Sequence, residues 1–214
     1  MTIVAGRSNK EMDHLKKLYF ELYTKDLGQV VAAEIKRNFE ALILNCLQAS
    51  EEEYDEASTH TDSKMKDDIS DLYKMGQGQM GSDAKQIFKV LCTSPPEYLK
   101  KLNLAYADEH GITVLHMFQK ELKGYTEDAA EFVMGMKIKP YEEIAKLIQK
   151  ASKGLGTNEK LLSASLVRYQ YVLKDVLLAH VELYGKTLAD RVKEETGRDY
   201  EAVLLEVLAA ADAV

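Results

Sequence analysis

The sequence contains few of the residues and patterns that mark several common protein classes. Tryptophan is absent, and only three prolines and two cysteines occur among the 214 residues. No stretch approaches the roughly 18 consecutive apolar residues of a membrane-spanning helix, and the opening MTIVAGRSNKEMD lacks the basic and apolar regions of a secretory signal. The sequence therefore predicts neither a membrane span nor entry into the secretory route.

The charge distribution argues against nucleic acid as a partner. The formal net charge is −7, and no stretch concentrates lysine and arginine with interleaved aromatic residues. An acidic protein is also repelled by an acidic lipid surface within about one Debye length. If this chain binds such a surface, a cation is expected between the two.

The cysteines and histidines show no spacing typical of a metal site or a catalytic site. Cys46 and Cys92 each lie in an apolar helical pattern without a CxxC motif, which predicts free, buried cytosolic thiols. His180 lies on an apolar stripe, where a core residue with satisfied hydrogen bonds is expected. Since no nucleophile stands beside a plausible base, we predict that the protein is not an enzyme.

Apolar residues at helical spacing dominate the sequence. Strand-like alternation over long stretches is missing, and Pro95 and Pro140 lie where helices are expected to begin. The sequence therefore predicts an all-α fold. Two examples of the helical pattern are Met12, Leu15, Leu18, Tyr19 and Leu22, and Leu173, Val176, Leu177, His180, Val181 and Tyr184.

Three stretches of the chain share one plan, which indicates internal repeats. In each stretch a carboxylate follows seven residues after an opening apolar residue. The stretches begin at Leu27, Val114 and Leu188, and their carboxylates are Glu34, Glu121 and Glu195.

An acidic segment accounts for the irregular spacing of these repeats. Glu121 and Glu195 are 74 residues apart, whereas Glu34 and Glu121 are 87 apart. The surplus corresponds to residues 50–64, SEEEYDEASTHTDSK, which we predict to be a solvated linker. The alternative is a cation site formed by Glu51, Glu52, Glu53 and Asp55.

Two glycine-containing loops precede two of the carboxylates at almost equal distance. Ser82 in the first loop, residues 76–83, lies 39 residues before Glu121, and Thr157 in the second, residues 153–159, lies 38 before Glu195. Glycine lets a tight loop turn several carbonyls toward one point. Ca²⁺ takes six to eight oxygen ligands, so carbonyls plus one carboxylate from a later helix predict a weak calcium site. In the simpler alternative, each glycine ends a helix and Ser82 or Thr157 caps the next.

The sequence resembles the annexins, whose repeat of about 70 residues carries Gly-x-Gly-Thr followed some 38 residues later by an acid. Lys153-Gly-Leu-Gly-Thr157 with Glu195 matches this pattern closely. The resemblance implies about five helices per repeat, with two complete repeats and one partial repeat. Residues 3–49 resemble the later part of the second repeat, 65–136 the third and 140–210 the fourth. The irregular loops are similar to those of the alpha-giardins, a divergent branch.

Carried over position by position, the resemblance implies two calcium sites and two residues that contact the membrane. The third-repeat loop departs from the family pattern at Gln79 and Ser82, and no glycine loop precedes Glu34. The implied ligands are the carbonyls of Ser152, Gly154 and Gly156 with the Glu195 carboxylate, and the carbonyls of Gly76, Gln79 and Gly81 with the Glu121 carboxylate. The implied membrane contacts are Leu155 and Met80.

The resemblance further implies calcium-dependent binding to acidic phospholipid at a cytoplasmic, peripheral location, with cytoskeletal protein as a further expected partner. In annexins the first repeat packs with the fourth. Since no part of this sequence resembles the first repeat, the fourth-like repeat is expected to lack its usual neighbour. We therefore expect self-association, or a truncated form of a longer protein. The alternative left open is a calcium-independent structural or cytoskeletal module that keeps the scaffold.

Overall fold

The computed structural model describes residues 3–76, 84–153 and 157–212, and these residues form an all-α protein, as predicted. They contain thirteen α-helices and no strand. The chain divides into two compact units, Met1–Ile138 and Lys139–Val214. None of the described helices is both long enough and apolar enough to cross a bilayer. The boundaries of the repeats themselves stay a prediction.

The described part of the first unit contains eight α-helices, and that of the second contains five. In the first they are α1 Asn9–Tyr23, α2 Leu27–Glu34, α3 Arg37–Leu47, α4 Asp62–Gly76, α5 Ala84–Thr93, α6 Pro96–His110, α7 Val114–Glu121 and α8 Tyr125–Ile138. In the second they are α9 Pro140–Ser152, α10 Glu159–Arg168, α11 Leu173–Tyr184, α12 Leu188–Glu195 and α13 Arg198–Asp212, with a 3₁₀ turn at Gln170–Val172. Helices α6 and α9 start at Pro96 and Pro140, because proline suits the first helical turn.

Helices α2, α7 and α12 are three copies of one eight-residue element. A side-chain oxygen caps each start and accepts a backbone N–H three residues on, and the residue after each end is extended. The repeated sequence plan thus corresponds to a repeated helix. The caps are Asp26, Thr113 and Thr187, and the last residues are the three carboxylates Glu34, Glu121 and Glu195.

The helix after each copy begins beside a residue in the left-handed region of backbone space. The φ angles are 65° at Arg37, 60° at Gly124 and 57° at Arg198. Only glycine adopts this conformation without steric cost, so the two arginines carry local backbone strain. In all three copies this residue lies three positions after the carboxylate that ends the helix.

The core of the first unit is built around buried aromatic side chains. Phe88, Tyr98, Tyr106 and Phe118 are each at most 1% exposed. Full burial of a side chain of this size contributes roughly 1.5–3 kcal/mol. Helix α3 packs against α5 and α8, so the first three helices share this unit with the next five.

The core of the second unit lies where α9 packs against α10 and α11. His180 is completely buried there, with Nδ1 at 2.8 Å from the Lys186 carbonyl and Nε2 at 3.1 Å from the Gln149 side-chain amide oxygen. This confirms the expectation of a hydrogen-bonded core histidine. Burial lowers the pKa of His180.

The acidic segment 50–64 is exposed along most of its length but is fixed at several points. The Glu52 backbone N–H donates to the Thr93 carbonyl at 2.8 Å, and His60 is buried. Glu51 pairs with Lys137 at 2.8 Å, whereas Asp55 accepts hydrogen bonds from its own turn. The carboxylates therefore serve separate structural partners, and nowhere among the described residues do three acidic, histidine or cysteine side chains form a metal-binding group.

Candidate calcium sites at the interhelical loops

The loop after α9 is closed by hydrogen bonds at both of its described ends. Ser152, the last residue of α9, is completely buried, and its hydroxyl donates to the Ile148 carbonyl at 2.9 Å. The Asn158 backbone N–H donates to the Ala151 carbonyl at 2.8 Å. The ends of the loop are therefore held close together. The predicted ligands Gly154 and Gly156 and the predicted membrane contact Leu155 lie outside the described residues.

Thr157 joins this loop to the end of α12. Its hydroxyl donates a hydrogen bond of 2.6 Å to the backbone carbonyl of Glu195. Thr157 does not cap α10 as the simpler alternative supposed. Asn158 is the cap, and its side chain accepts the Leu161 N–H at 3.0 Å. Because Asn158 caps α10, the Thr157 hydroxyl is available for its hydrogen bond to the Glu195 carbonyl.

Tyr200 provides a second connection between the same two regions. Its hydroxyl donates to the Glu159 carbonyl at 3.1 Å and lies 2.9 Å from the Ser163 hydroxyl. The start of α13 is thereby fixed to the start of α10. Together with the Thr157 hydrogen bond, this contact places the Glu195 helix end beside Thr157, the first described residue after Gly156.

Arg191 neutralises part of the charge of the predicted Glu195 ligand. The Arg191 guanidinium lies 3.3 Å from the Glu195 carboxylate and 3.4 Å from that of Glu194. Glu194 also pairs with Lys186. The Glu195 side chain is 25% exposed, so solvent weakens this ion pair and a cation can reach the carboxylate. The sequence interpretation missed Arg191, although its spacing four residues before Glu195 is a signal for such a pair.

The loop after α4 begins in close contact with the helix that carries Glu121. A Cβ atom added to Gly76 would lie 3.3 Å from Met117 Cγ and 3.6 Å from the Tyr106 hydroxyl. Burial, Tyr73 and the Glu121 charge raise the pKa of Tyr106, in that order of effect. Gly76, Tyr106 and Glu121 thus share one region. The other predicted residues of this site, Gln79, Gly81 and Met80, lie outside the described residues.

Both candidate sites lie at the carboxyl ends of two helices. Ser152 ends α9 and Glu195 ends α12, whereas Gly76 ends α4 and Glu121 ends α7. The last carbonyls of a helix have no intrahelical donor, and the helix dipole places partial negative charge there. Main-chain oxygens with one carboxylate therefore form a donor set of the kind Ca²⁺ accepts. The ligand roles stay a prediction.

Comparisons with known proteins agree with the all-helical repeat fold. The family profile described as Annexin matches residues 143–207. Annexin A7 of Dictyostelium discoideum is 24% identical over 207 residues, which are 96% of this chain and 44% of the relative. A solved structure of annexin A8 has a TM-score of 0.88 at 25% identity, covering 96% of this chain and 64% of that one. The calcium-bound structure of alpha-14 giardin has a TM-score of 0.82 at 17% identity, covering 95% and 67% of the two chains, which is a likeness of fold.

The described residues define an all-helical repeat protein. The comparisons support a divergent member of the annexin family, as the resemblance implied. The chain spans 44%, 64% and 41% of the length of three curated annexins that it matches. The family consists of binding proteins, which agrees with the prediction that the chain is not an enzyme.

Proposed function

We propose that this protein binds acidic phospholipid membranes in a calcium-dependent way through the loops after α4 and α9. Calcium would be held by carbonyls of Gly76, Gln79 and Gly81 with Glu121, and of Ser152, Gly154 and Gly156 with Glu195. Lipid phosphate oxygens would complete each coordination sphere. Leu155 and Met80 are the proposed bilayer contacts.

The observation that carries the proposal is the hydrogen bond between Thr157 and the Glu195 carbonyl. It joins the backbone of Glu195, the proposed carboxylate ligand, to Thr157 at the described end of the loop after α9, although 38 residues separate the two in sequence. The hydrogen bond uses the backbone of Glu195, so the carboxylate remains available to a cation. The calcium-bound alpha-14 giardin, which shares the fold, supports calcium as the ion.

Charge explains why calcium and lipid would bind together. The chain carries a net charge of −7, so an acidic membrane repels it until cations lie between the two surfaces. Each site has only one carboxylate, so we expect weak calcium binding in the absence of lipid, with a Kd of about 10⁻⁵ to 10⁻³ M. Lipid that completes the site must tighten calcium binding by the same factor as calcium tightens lipid binding.

A specific observation also favours the second candidate, a calcium-independent interaction module. Arg191 already supplies a positive partner 3.3 Å from the Glu195 carboxylate, so the helix end is stable without a metal ion. Such a module would keep the annexin scaffold and bind a cytoskeletal or other protein partner. The two candidates differ in whether the Glu195 carboxylate must exchange Arg191 for calcium.

Sedimentation with phosphatidylserine vesicles distinguishes the two candidates. The proposal predicts that the protein pellets with vesicles in calcium and stays in the supernatant with chelator. The double variant Glu121→Gln and Glu195→Gln should remain in the supernatant in both. Glu34→Gln is the matched control, because Glu34 ends the equivalent helix α2 but no glycine loop precedes it. Equal pelleting in calcium and chelator would contradict the calcium-dependent proposal, whereas no pelleting in either would favour the second candidate.

Self-association and a peripheral cytoplasmic location are further parts of the proposal. Several apolar side chains on α11 are exposed in the second unit, and burying them against another surface would be favourable. Sedimentation velocity tests this, since a compact monomer at all accessible concentrations would count against self-association. The exposed apolar residues of α11 are Leu178, Val181, Leu183 and Tyr184.

A further inference from the structure

The two cysteines of the chain meet between α3 and α5. Cys46 Sγ lies 3.5 Å from Cys92 Sγ, although the residues are 46 positions apart. Both are free thiols, as expected from the sequence. Cys92 is buried as predicted, whereas Cys46 is partly exposed, so the prediction of burial was wrong for Cys46.

A cavity gives small molecules access to this pair. It has a volume of about 240 Å³, opens to solvent and is lined by both cysteines. The N-terminal segment and α8 complete its walls, with Ser8, Asn45, Met136 and Lys137 among the lining residues. A hydroperoxide is small enough to enter a space that holds several water molecules.

The surroundings give the two thiols different chemistry. The hydrogen bond with Cys92 lowers the pKa of Cys46; burial opposes this effect, and the Lys137 charge lowers the pKa further. Its hydrogen bond to Cys46 and burial both raise the pKa of Cys92. Cys46 is also the more exposed of the two sulfur-bearing residues. The thiolate is the nucleophilic form and must be reached by the peroxide, so Cys46 is the residue that reacts first.

Lys137 fixes the end of α5 beside the pair. Its ammonium group donates to the Cys92 carbonyl at 2.9 Å and to the Ser94 carbonyl at 2.7 Å. It also pairs with Glu51 at 2.8 Å, and its side chain is 12% exposed. Three oxygen partners therefore hold the ammonium group beside the carbonyl of Cys92.

We propose that Cys46 and Cys92 are a thiol pair that a hydroperoxide converts reversibly into an intrachain disulfide. The Cys46 thiolate attacks one peroxide oxygen, the O–O bond breaks, and hydroxide leaves as Cys46 becomes a sulfenic acid. Cys92 then loses its proton and attacks the Cys46 sulfur, which releases a second hydroxide and forms the S–S bond. The two thiols lose two electrons in total, and hydrogen peroxide is reduced to two water molecules.

The geometry requires only a small movement. A disulfide needs the sulfurs at about 2.05 Å, so they must approach each other by roughly 1.5 Å from 3.5 Å. Rotation of the partly exposed Cys46 side chain can supply this displacement. The product would connect α3 to α5 and enclose the acidic segment and α4 in one covalent loop. This inference does not depend on the proposed calcium sites.

Peptide mapping of the whole chain after treatment with dilute hydrogen peroxide tests the proposal. We expect a peptide pair joined through Cys46 and Cys92 in monomeric protein, with a mass loss of two hydrogen atoms and full reversal by dithiothreitol. The chain has no other cysteine, so thiol titration reports this reaction alone. Unlinked thiols, or oxidation of Cys46 beyond the sulfenic acid while Cys92 stays reduced, would overturn the proposal.

Two single-residue variants test whether Cys46 reacts with the peroxide first and Cys92 then forms the disulfide. In Cys92→Ser, the Cys46 sulfenic acid should accumulate and be trapped by dimedone. In Cys46→Ser, oxidation of Cys92 should be about tenfold slower or more, because the reactive thiolate is gone. Equal oxidation rates of the two variants would contradict the assigned order. If a variant does not fold, the mapping of the unchanged protein still decides whether the disulfide forms.

Discussion

The Thr157 hydroxyl lies 2.6 Å from the Glu195 carbonyl and joins the start of one helix to the end of another within the second unit. The contact is between a side chain and the backbone, so it fixes the helix end without using the carboxylate. A single hydrogen bond of this kind has a net value of about 1 kcal/mol. Its importance lies in positioning, since it holds the only acidic ligand predicted for the loop.

Removing the Thr157 hydroxyl should weaken calcium binding. In Thr157→Val the shape is kept but the hydrogen bond to the Glu195 carbonyl is lost. A loss of about 1 kcal/mol corresponds to roughly fivefold weaker binding at this site. The calcium concentration for half-maximal vesicle sedimentation measures the change, in a Glu121→Gln background that leaves only this site.

Thr157→Ser is the matched control because it retains the hydroxyl. We expect it to bind calcium within about twofold of the unchanged protein, given the small cost of losing one methyl group. Equal affinities of the valine and serine variants would show that the Thr157 contact has no part in the site.

Removing the competing cation should strengthen calcium binding at the same site. Arg191→Gln deletes the guanidinium that lies 3.3 Å from the Glu195 carboxylate. For a partly exposed pair worth about 0.5–1 kcal/mol, calcium affinity should rise two- to fivefold. Lys193→Gln removes the same charge from an exposed position of α12 and is the control. If both variants raise the affinity equally, only the overall charge matters.

Local patterns in the sequence predict the helices and their repeats, because their signals lie within short stretches. The opening residue and the carboxylate of each copy become the first and last residues of α2, α7 and α12. The pairing of Cys46 with Cys92 was not predictable in this way. It depends on the packing of α3 against α5, for which a single sequence gives no spacing rule.

The role of Thr157 shows the same limit. Thr157 and Asn158 are both good helix caps, so local propensity does not choose between them. The tertiary contact with α12 decides, since it uses the threonine hydroxyl and leaves Asn158 to cap α10. Burial of His60 within an acidic segment is equally a result of packing, which composition does not reveal.

A buried hydrogen-bond network in the first unit should make a measurable contribution to stability. The fully buried Tyr98 hydroxyl donates to the Asp68 carboxylate at 2.7 Å, and Lys64 pairs with the same carboxylate at 2.7 Å. Burial and then the Asp68 carboxylate raise the pKa of Tyr98. Tyr98→Phe leaves a buried carboxylate short of one donor and should lower the free energy of unfolding by about 1–3 kcal/mol.

Urea denaturation followed by circular dichroism measures this effect, with Tyr125→Phe as the control. Tyr125 belongs to the same unit but is 78% exposed, so loss of its hydroxyl should change stability by less than about 0.5 kcal/mol. Similar stability of the two variants would mean that the Asp68 network contributes little.

Calorimetric titration of calcium into the protein with phosphatidylserine vesicles tests the central claim most directly. The account predicts two bound ions per chain, one after Glu195→Gln, and none after the further change Glu121→Gln. Glu34→Gln should still bind two, because α2 has the carboxylate without the loop. Absence of any heat of binding at millimolar calcium, or unchanged binding in the double variant, would contradict the account.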